Sequence, residues 1–73
     1  MLDRITADPK ICHGQACVKG TRIPVFVVLD ALAAGMTAEQ IIADYPPLTM
    51  KDIQACILYA SLIAREEEVS LGV

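Results

Sequence analysis

Four punctuation marks between residues 35 and 52 constrain this chain more than any other feature. Gly35 is the residue type that ends a helix in the left-handed conformation. Thr37-Ala38-Glu39-Gln40 is a capping box: the Thr37 hydroxyl accepts a first-turn N–H, and Gln40 reaches back to the Thr37 N–H. Pro46 drives its predecessor out of helical conformation and so closes the segment that Thr37 opens. Thr49-Met50-Lys51-Asp52 repeats the cap with a shorter carboxylate. These marks predict three helices: one ending at Gly35, a short one between Thr37 and Pro46, and a longer one from Thr49 to about Glu67.

Apolar spacing agrees. Val25, Val28, Leu29 and Leu32 fall on one face at helical spacing, with Pro24 suited to the first helical position. The valines favour a strand by propensity, but the run Leu29 to Ala34 tips the segment to helix. Phe26 and Val27 make this helix apolar nearly all round. On the last helix Ile53, Cys56, Ile57, Ala60 and Ile63 form one stripe, and Ala55, Leu58, Tyr59 and Leu62 a second. Two stripes imply two buried neighbours, the domain's own core and another chain. With 55% apolar residues in 73, a chain of this size cannot hide all its apolar side chains, and a homodimer is expected.

Residues 1–24 read as a β-and-turn arm, residues 25–68 as a helical bundle and residues 69–73 as a fraying tail of one domain. Ile5-Thr6 and Ile11 are candidate strand pieces on either side of the turn starter Asp8-Pro9. Val18 and Ile23 flank a hairpin turn, Lys19-Gly20-Thr21-Arg22, and Gly14 and Gly20 are suited to positive φ. The arm also holds most of the positive charge. Residues 9–29 carry Lys10, Lys19 and Arg22 and no carboxylate, whereas residues 30–73 sum to −5 and the whole chain to −3. That polarity suits head-to-tail docking or a local anion site better than a broad DNA-binding face.

Three cysteines and no legible leader or membrane-spanning run point to a reducing cytoplasm and no membrane contact. Cys12, His13, Cys17 and Cys56 do not have the two close ligand pairs of a structural zinc site, so neither metal nor cofactor is expected. No nucleophile, base and orienting group stand together, so no catalytic residue is assigned and the chain reads as a non-enzyme. His13 is read as a surface turn residue. The planar fork of Arg22 can grip a partner's carboxylate or phosphate, or pin the arm to the helices through an internal carboxylate.

The series Ile5-Thr6, Asp8-Pro9, Ile11-Cys12-His13-Gly14, Lys19-Gly20-Thr21-Arg22-Ile23-Pro24-Val25, Gly35, Glu39-Gln40-Ile41, Tyr45-Pro46, Leu48-Thr49, Asp52-Ile53 and Tyr59-Ala60 resembles the family catalogued as domain of unknown function 433. The resemblance implies a mainly α fold: a small three-helix, homeodomain-like helix-turn-helix domain with a short N-terminal β arm. It also implies an antitoxin that binds and neutralises a PIN-like ribonuclease toxin, a role that extends to repression of its own operon by the toxin–antitoxin complex. In that role Lys19, Arg22 and Phe26 are the expected partner-binding residues, the basic pair facing the toxin's acidic metal-binding site. Where many members carry Lys-Pro, this chain carries Gln15-Ala16, one positive charge and one rigid turn residue fewer. Two other readings stand beside this one. A stand-alone DNA-binding regulator would set Lys51 and Gln54 in the major groove of operator DNA, with Asp52 repelling phosphate unless capping engages it. A structural oligomerisation module would use the apolar stripes alone.

Overall fold

The computed structural model describes residues 1–66, as a mainly helical domain of three helices and one two-stranded antiparallel sheet. The fraying expected of residues 69–73 lies outside the described residues.

The arm begins with a single 3-10 turn, Leu2–Arg4, and enters strand β1, Ile5–Thr6. Strand β2, Cys17–Val18, pairs with it in the register Ile5 to Val18 and Thr6 to Cys17. The Lys19 N–H extends the ladder to the Arg4 carbonyl at 2.7 Å. Ile11 is extended but unpaired, and caps a turn at Cys12–Gly14 instead of forming a strand.

Helix α1 spans Val25–Ala33. Pro24 does not open it, as its residue type suggests, but stands one position before, with ψ 145°. The reason is the hairpin: Pro24 is bridged to Cys17, and the Val25 N–H donates to the Ala16 carbonyl at 2.9 Å. Gly35, at φ +94°, ends the helix. Its N–H reaches the Leu32 carbonyl at 3.0 Å, and the Met36 N–H reaches that of Ala31 at 3.0 Å, the paired bonds of a Schellman motif.

Helix α2, Ala38–Asp44, opens on the expected capping box: Thr37 N–H to Gln40 Oε1 at 2.8 Å and Gln40 N–H to Thr37 Oγ1 at 3.2 Å. Helix α3, Met50–Glu66, opens on the second box, with the Thr49 N–H donating to Asp52 Oδ2 at 2.9 Å and the Asp52 N–H to Thr49 Oγ1 at 3.3 Å.

The core lies where the three helices meet β2. Val28, Ile41, Leu48, Ile53 and Cys56 are buried there, closed by Val18 from the arm and by Val25 at the start of α1. Each such side chain contributes about 1.5–3 kcal/mol by leaving water. The division of α3 differs from the two expected stripes. Ile53 and Cys56 are buried, but Ile57 and Ile63 of the same stripe are exposed, while Ala55 of the second stripe is fully buried. A helix turns 100° per residue, so the inward arc takes in Asp52, Ala55, Cys56 and Tyr59 and leaves Ile57 on the far side.

Candidate functional site

The hairpin between β2 and α1 is built by Thr21. Its N–H and its hydroxyl both donate to the Val18 carbonyl, at 3.0 and 2.7 Å, and its oxygen accepts the Ile23 N–H at 3.0 Å. The Val18 N–H closes the base of the hairpin on the Ile23 carbonyl at 3.0 Å. Gly20 sits at φ +82°, where a side chain would be strained. The flanking Lys19 and Arg22 are both exposed, and neither makes an ion pair among the described residues.

The arm is pinned by a different arginine. Arg4 Nη1 donates to Asp52 Oδ1 at 2.9 Å, tying the first turn of the chain to the first turn of α3. This overturns the reading of Arg22 as the internal clasp: Arg22 lies on the solvent side of the hairpin, whereas Arg4 enters β1 next to α3. The Asp52 carboxylate also takes the Thr49 N–H and, at 3.1 Å, the Thr49 hydroxyl. Burial acts to raise the Asp52 pKa, but the Thr49 N–H, the Arg4 guanidinium and the Thr49 hydroxyl outweigh it and hold the carboxyl below its ordinary value. Sequence reasoning missed Arg4, because a contact across 48 positions leaves no spacing signal.

Two shallow clefts meet at Ala16 and Tyr59, which line both. One, of about 250 Å³, runs along Leu2, Ile5 and Ala7 of the arm. The other, of about 410 Å³, runs along Val25, Phe26 and Leu29 of α1. Phe26 forms a wall of the second cleft and is 50% exposed, on a helix whose Val25 and Val28 are buried. Lys19 and Arg22 line neither cleft, so the structure separates the two basic candidates from Phe26. Tyr59 packs against the core and is shared by both clefts; the sequence marks it as part of a stripe and of the family series, but not as a site residue.

Lys51 and Gln54 are exposed in the first turns of α3, three residues apart and therefore neighbours on its surface. The carboxylate between them is turned away: Asp52 is 7% exposed and committed to Thr49 and Arg4.

His13 is exposed at φ +55° in the Cys12–Gly14 turn. Cys12 is half-buried and donates its thiol to the Arg22 carbonyl at 3.3 Å. Burial pushes the Cys17 thiol up to about 11, with Cys12 beside it adding to the shift, and burial followed by the Asp52 charge does the same to Cys56. Among the described residues no three potential metal ligands come together, and no helix is long and apolar enough to cross a membrane.

Comparison with known proteins agrees with this architecture. A crystal structure of a DUF433 member protein from Anabaena variabilis ATCC 29413 superposes with a TM-score of 0.78 at 32% identity, covering 86% of this chain and 62% of that one. Uncharacterised protein y4eO of Sinorhizobium fredii (strain NBRC 101917 / NGR234) is 36% identical over 56 residues, 77% of this chain. The chain spans only a quarter of that relative's length (25%) and somewhat under two thirds of the crystallised neighbour's. The model of the family described as "Protein of unknown function (DUF433)" matches residues 5–60, from β1 into α3, and the chain belongs to that family.

Proposed function

We propose that this protein is a binding module of the antitoxin class, which neutralises a PIN-like ribonuclease by covering its active site. The observation that carries the reading is Phe26. A core-type aromatic stands half-exposed on the wall of an open apolar cleft, the arrangement of an anchor for a protein partner. The Lys19–Arg22 turn supports it: a rigid hairpin presents two cations to solvent, and an acidic metal-binding nuclease site is the complementary surface. The protein acts in this reading as a cytoplasmic homodimer and catalyses nothing itself.

Capture of the tagged protein from its host, with mass spectrometry of what co-purifies, tests the reading. A stoichiometric small nuclease is expected, together with loss of capture and of toxin neutralisation on Arg22→Glu in a protein that still unfolds cooperatively. Recovery of the protein without a nuclease overturns the antitoxin assignment. Neutralisation that survives Arg22→Glu overturns the role of the basic turn.

A second reading is favoured by the engagement of Asp52. Were α2 and α3 to act as a homeodomain-like helix-turn-helix, Lys51 and Gln54 would meet DNA without an unneutralised carboxylate between them. Binding to the upstream DNA would then fall steeply with salt and drop with Lys51→Ala, and salt-insensitive or absent binding excludes it.

A further inference from the structure

Helix α3 carries a second apolar face, turned away from the core. At about 100° per residue, Met50, Gln54, Ile57, Ser61 and Ala64 fall within about 80° of one another, along about 21 Å of helix. Their spacing alternates four residues and three, the pattern of a seam between two packed helices. Met50 and Ile57 are 41% and 48% exposed, Gln54 and Ala64 are exposed, and Ser61 is half-buried. Asp52, Cys56 and Tyr59 point the other way, towards the core and the arm. The charge along this seam has one sign. Lys51 and Arg65 stand two heptads apart on one flank, with the half-buried Leu58 midway between them. Both cations are exposed, and neither makes an ion pair among the described residues. No carboxylate of the described α3 answers them. Asp52 is committed to Thr49 and Arg4, and Glu66 falls on the side of the helix opposite Ile57.

We propose that this seam docks an acidic amphipathic helix of a second protein, packed along α3 with apolar residues in the seam and carboxylates against Lys51 and Arg65. Charge complementarity selects that occupant. A second copy of α3 has the wrong sign. Laid antiparallel along the seam, it sets Lys51 of each chain against Arg65 of the other; laid parallel, it offers those cations no carboxylate. Nucleic acid suits the face poorly, because phosphate binding draws on several cations and here Ile57 and Leu58 separate two isolated ones. Side-chain size sets the register of the incoming helix. Ser61 and Ala64 leave room for its large apolar residues, whereas Met50 and Ile57 fill the other half of the seam. Gln54 places one polar group there, the device by which helix pairs fix their alignment. None of the seam residues lines either cleft, so the site stands whether or not Phe26 grips a nuclease.

The probe is a fluorescein-labelled peptide of three heptads with Leu at the a and d positions and Glu at e and g, compared with a peptide that carries Lys at e and g. Titrated with the full protein at low salt and followed by anisotropy, the acidic peptide should bind about tenfold more tightly than the basic one. That factor is the combined effect of two exposed attractions gained and two repulsions avoided. Ile57→Glu should weaken binding by more than about tenfold, with an unchanged melting curve because the position is exposed. Lys51→Glu combined with Arg65→Glu should reverse the preference between the two peptides, which loss of a merely structural side chain would not do. Arg22→Glu, which probes the basic turn, should leave peptide binding unchanged. Equal affinity for the two peptides, no binding of the acidic one, binding untouched by Ile57→Glu, or binding lost in Arg22→Glu overturns the proposal. So does duplex DNA from upstream of the gene that displaces the acidic peptide and no longer binds Lys51→Glu, a result that gives the face to nucleic acid.

Discussion

Replacing Asp52 by alanine tests whether one carboxylate both starts α3 and holds the arm. The side chain takes three bonds: from Thr49 N–H at 2.9 Å, Thr49 Oγ1 at 3.1 Å and Arg4 Nη1 at 2.9 Å. Loss of the cap costs about 1 kcal/mol. The ion pair costs about 1 kcal/mol more, at the level of a surface pair because the Arg4 side chain keeps 37% exposure. The expected loss is therefore about 2 kcal/mol, lowering the melting temperature by about 10 °C in a domain of this size. Urea unfolding followed by circular dichroism measures it. A cycle with Arg4→Met, which keeps the aliphatic stem, should return a coupling of about 1 kcal/mol. The pH dependence has a fixed sign. The folded pKa of Asp52 lies below its ordinary value of 3.8, so its contribution is full above that value and fades as pH falls through the folded one. The stability gap between the wild type and Asp52→Ala should then narrow below about pH 4. A loss no larger than that of Lys51→Ala, zero coupling to Arg4, or a gap that stays constant into acid would refute the clasp.

Thr21→Val keeps the shape of the side chain and removes both hydroxyl bonds of the hairpin, and should cost about 1–2 kcal/mol in urea unfolding. A neutral result would mean that the Thr21 N–H alone shapes the turn. Ile53→Ala, at a position 2% exposed, should cost about 2–4 kcal/mol, whereas Ile57→Ala, at one 48% exposed, should cost under about 1 kcal/mol. Equal losses at the two positions would restore the single stripe that the sequence suggested.

The helices were legible because their ends are chemically local. Thr37 with Gln40, Thr49 with Asp52, and Gly35 each satisfy backbone groups within a few residues, so spacing alone reveals them. The hairpin was legible for the same reason, from Gly20 between Val18 and Ile23. Pro24 shows the limit. Its residue type suits a first helical position, but its neighbours' N–H and C=O groups belong to a hairpin whose pairing is settled seven to nine positions away, with Cys17 and Ala16. The face of α3 was misjudged for a related reason. Apolar type marks Ile53 and Ile57 alike, and only the positions of α1, α2 and the arm decide which of them meets the core. Arg4 and Arg22 are the sharpest pair. Both precede apolar residues and both could reach a carboxylate, yet only the path of β1 alongside α3 brings Arg4 to Asp52.

That division of labour bears on the interaction surface. The helices terminate themselves, so the arm alone needs a long-range tie, and Asp52 supplies it while capping α3. The arm contributes Leu2 and Ile5 to one cleft and leads through β2 into the Lys19–Arg22 turn, while α3 contributes Tyr59 to both clefts and presents Lys51 and Gln54 to solvent. A carboxylate that caps α3 and clasps Arg4 therefore fixes the placement of the arm's exposed groups relative to those of α3. A change at Asp52 would displace the Phe26 cleft and the Lys51 surface relative to each other, and so would weaken either proposed contact through geometry and without touching it. Arg22→Glu and Lys51→Ala separate those two contacts because each lies outside the clasp.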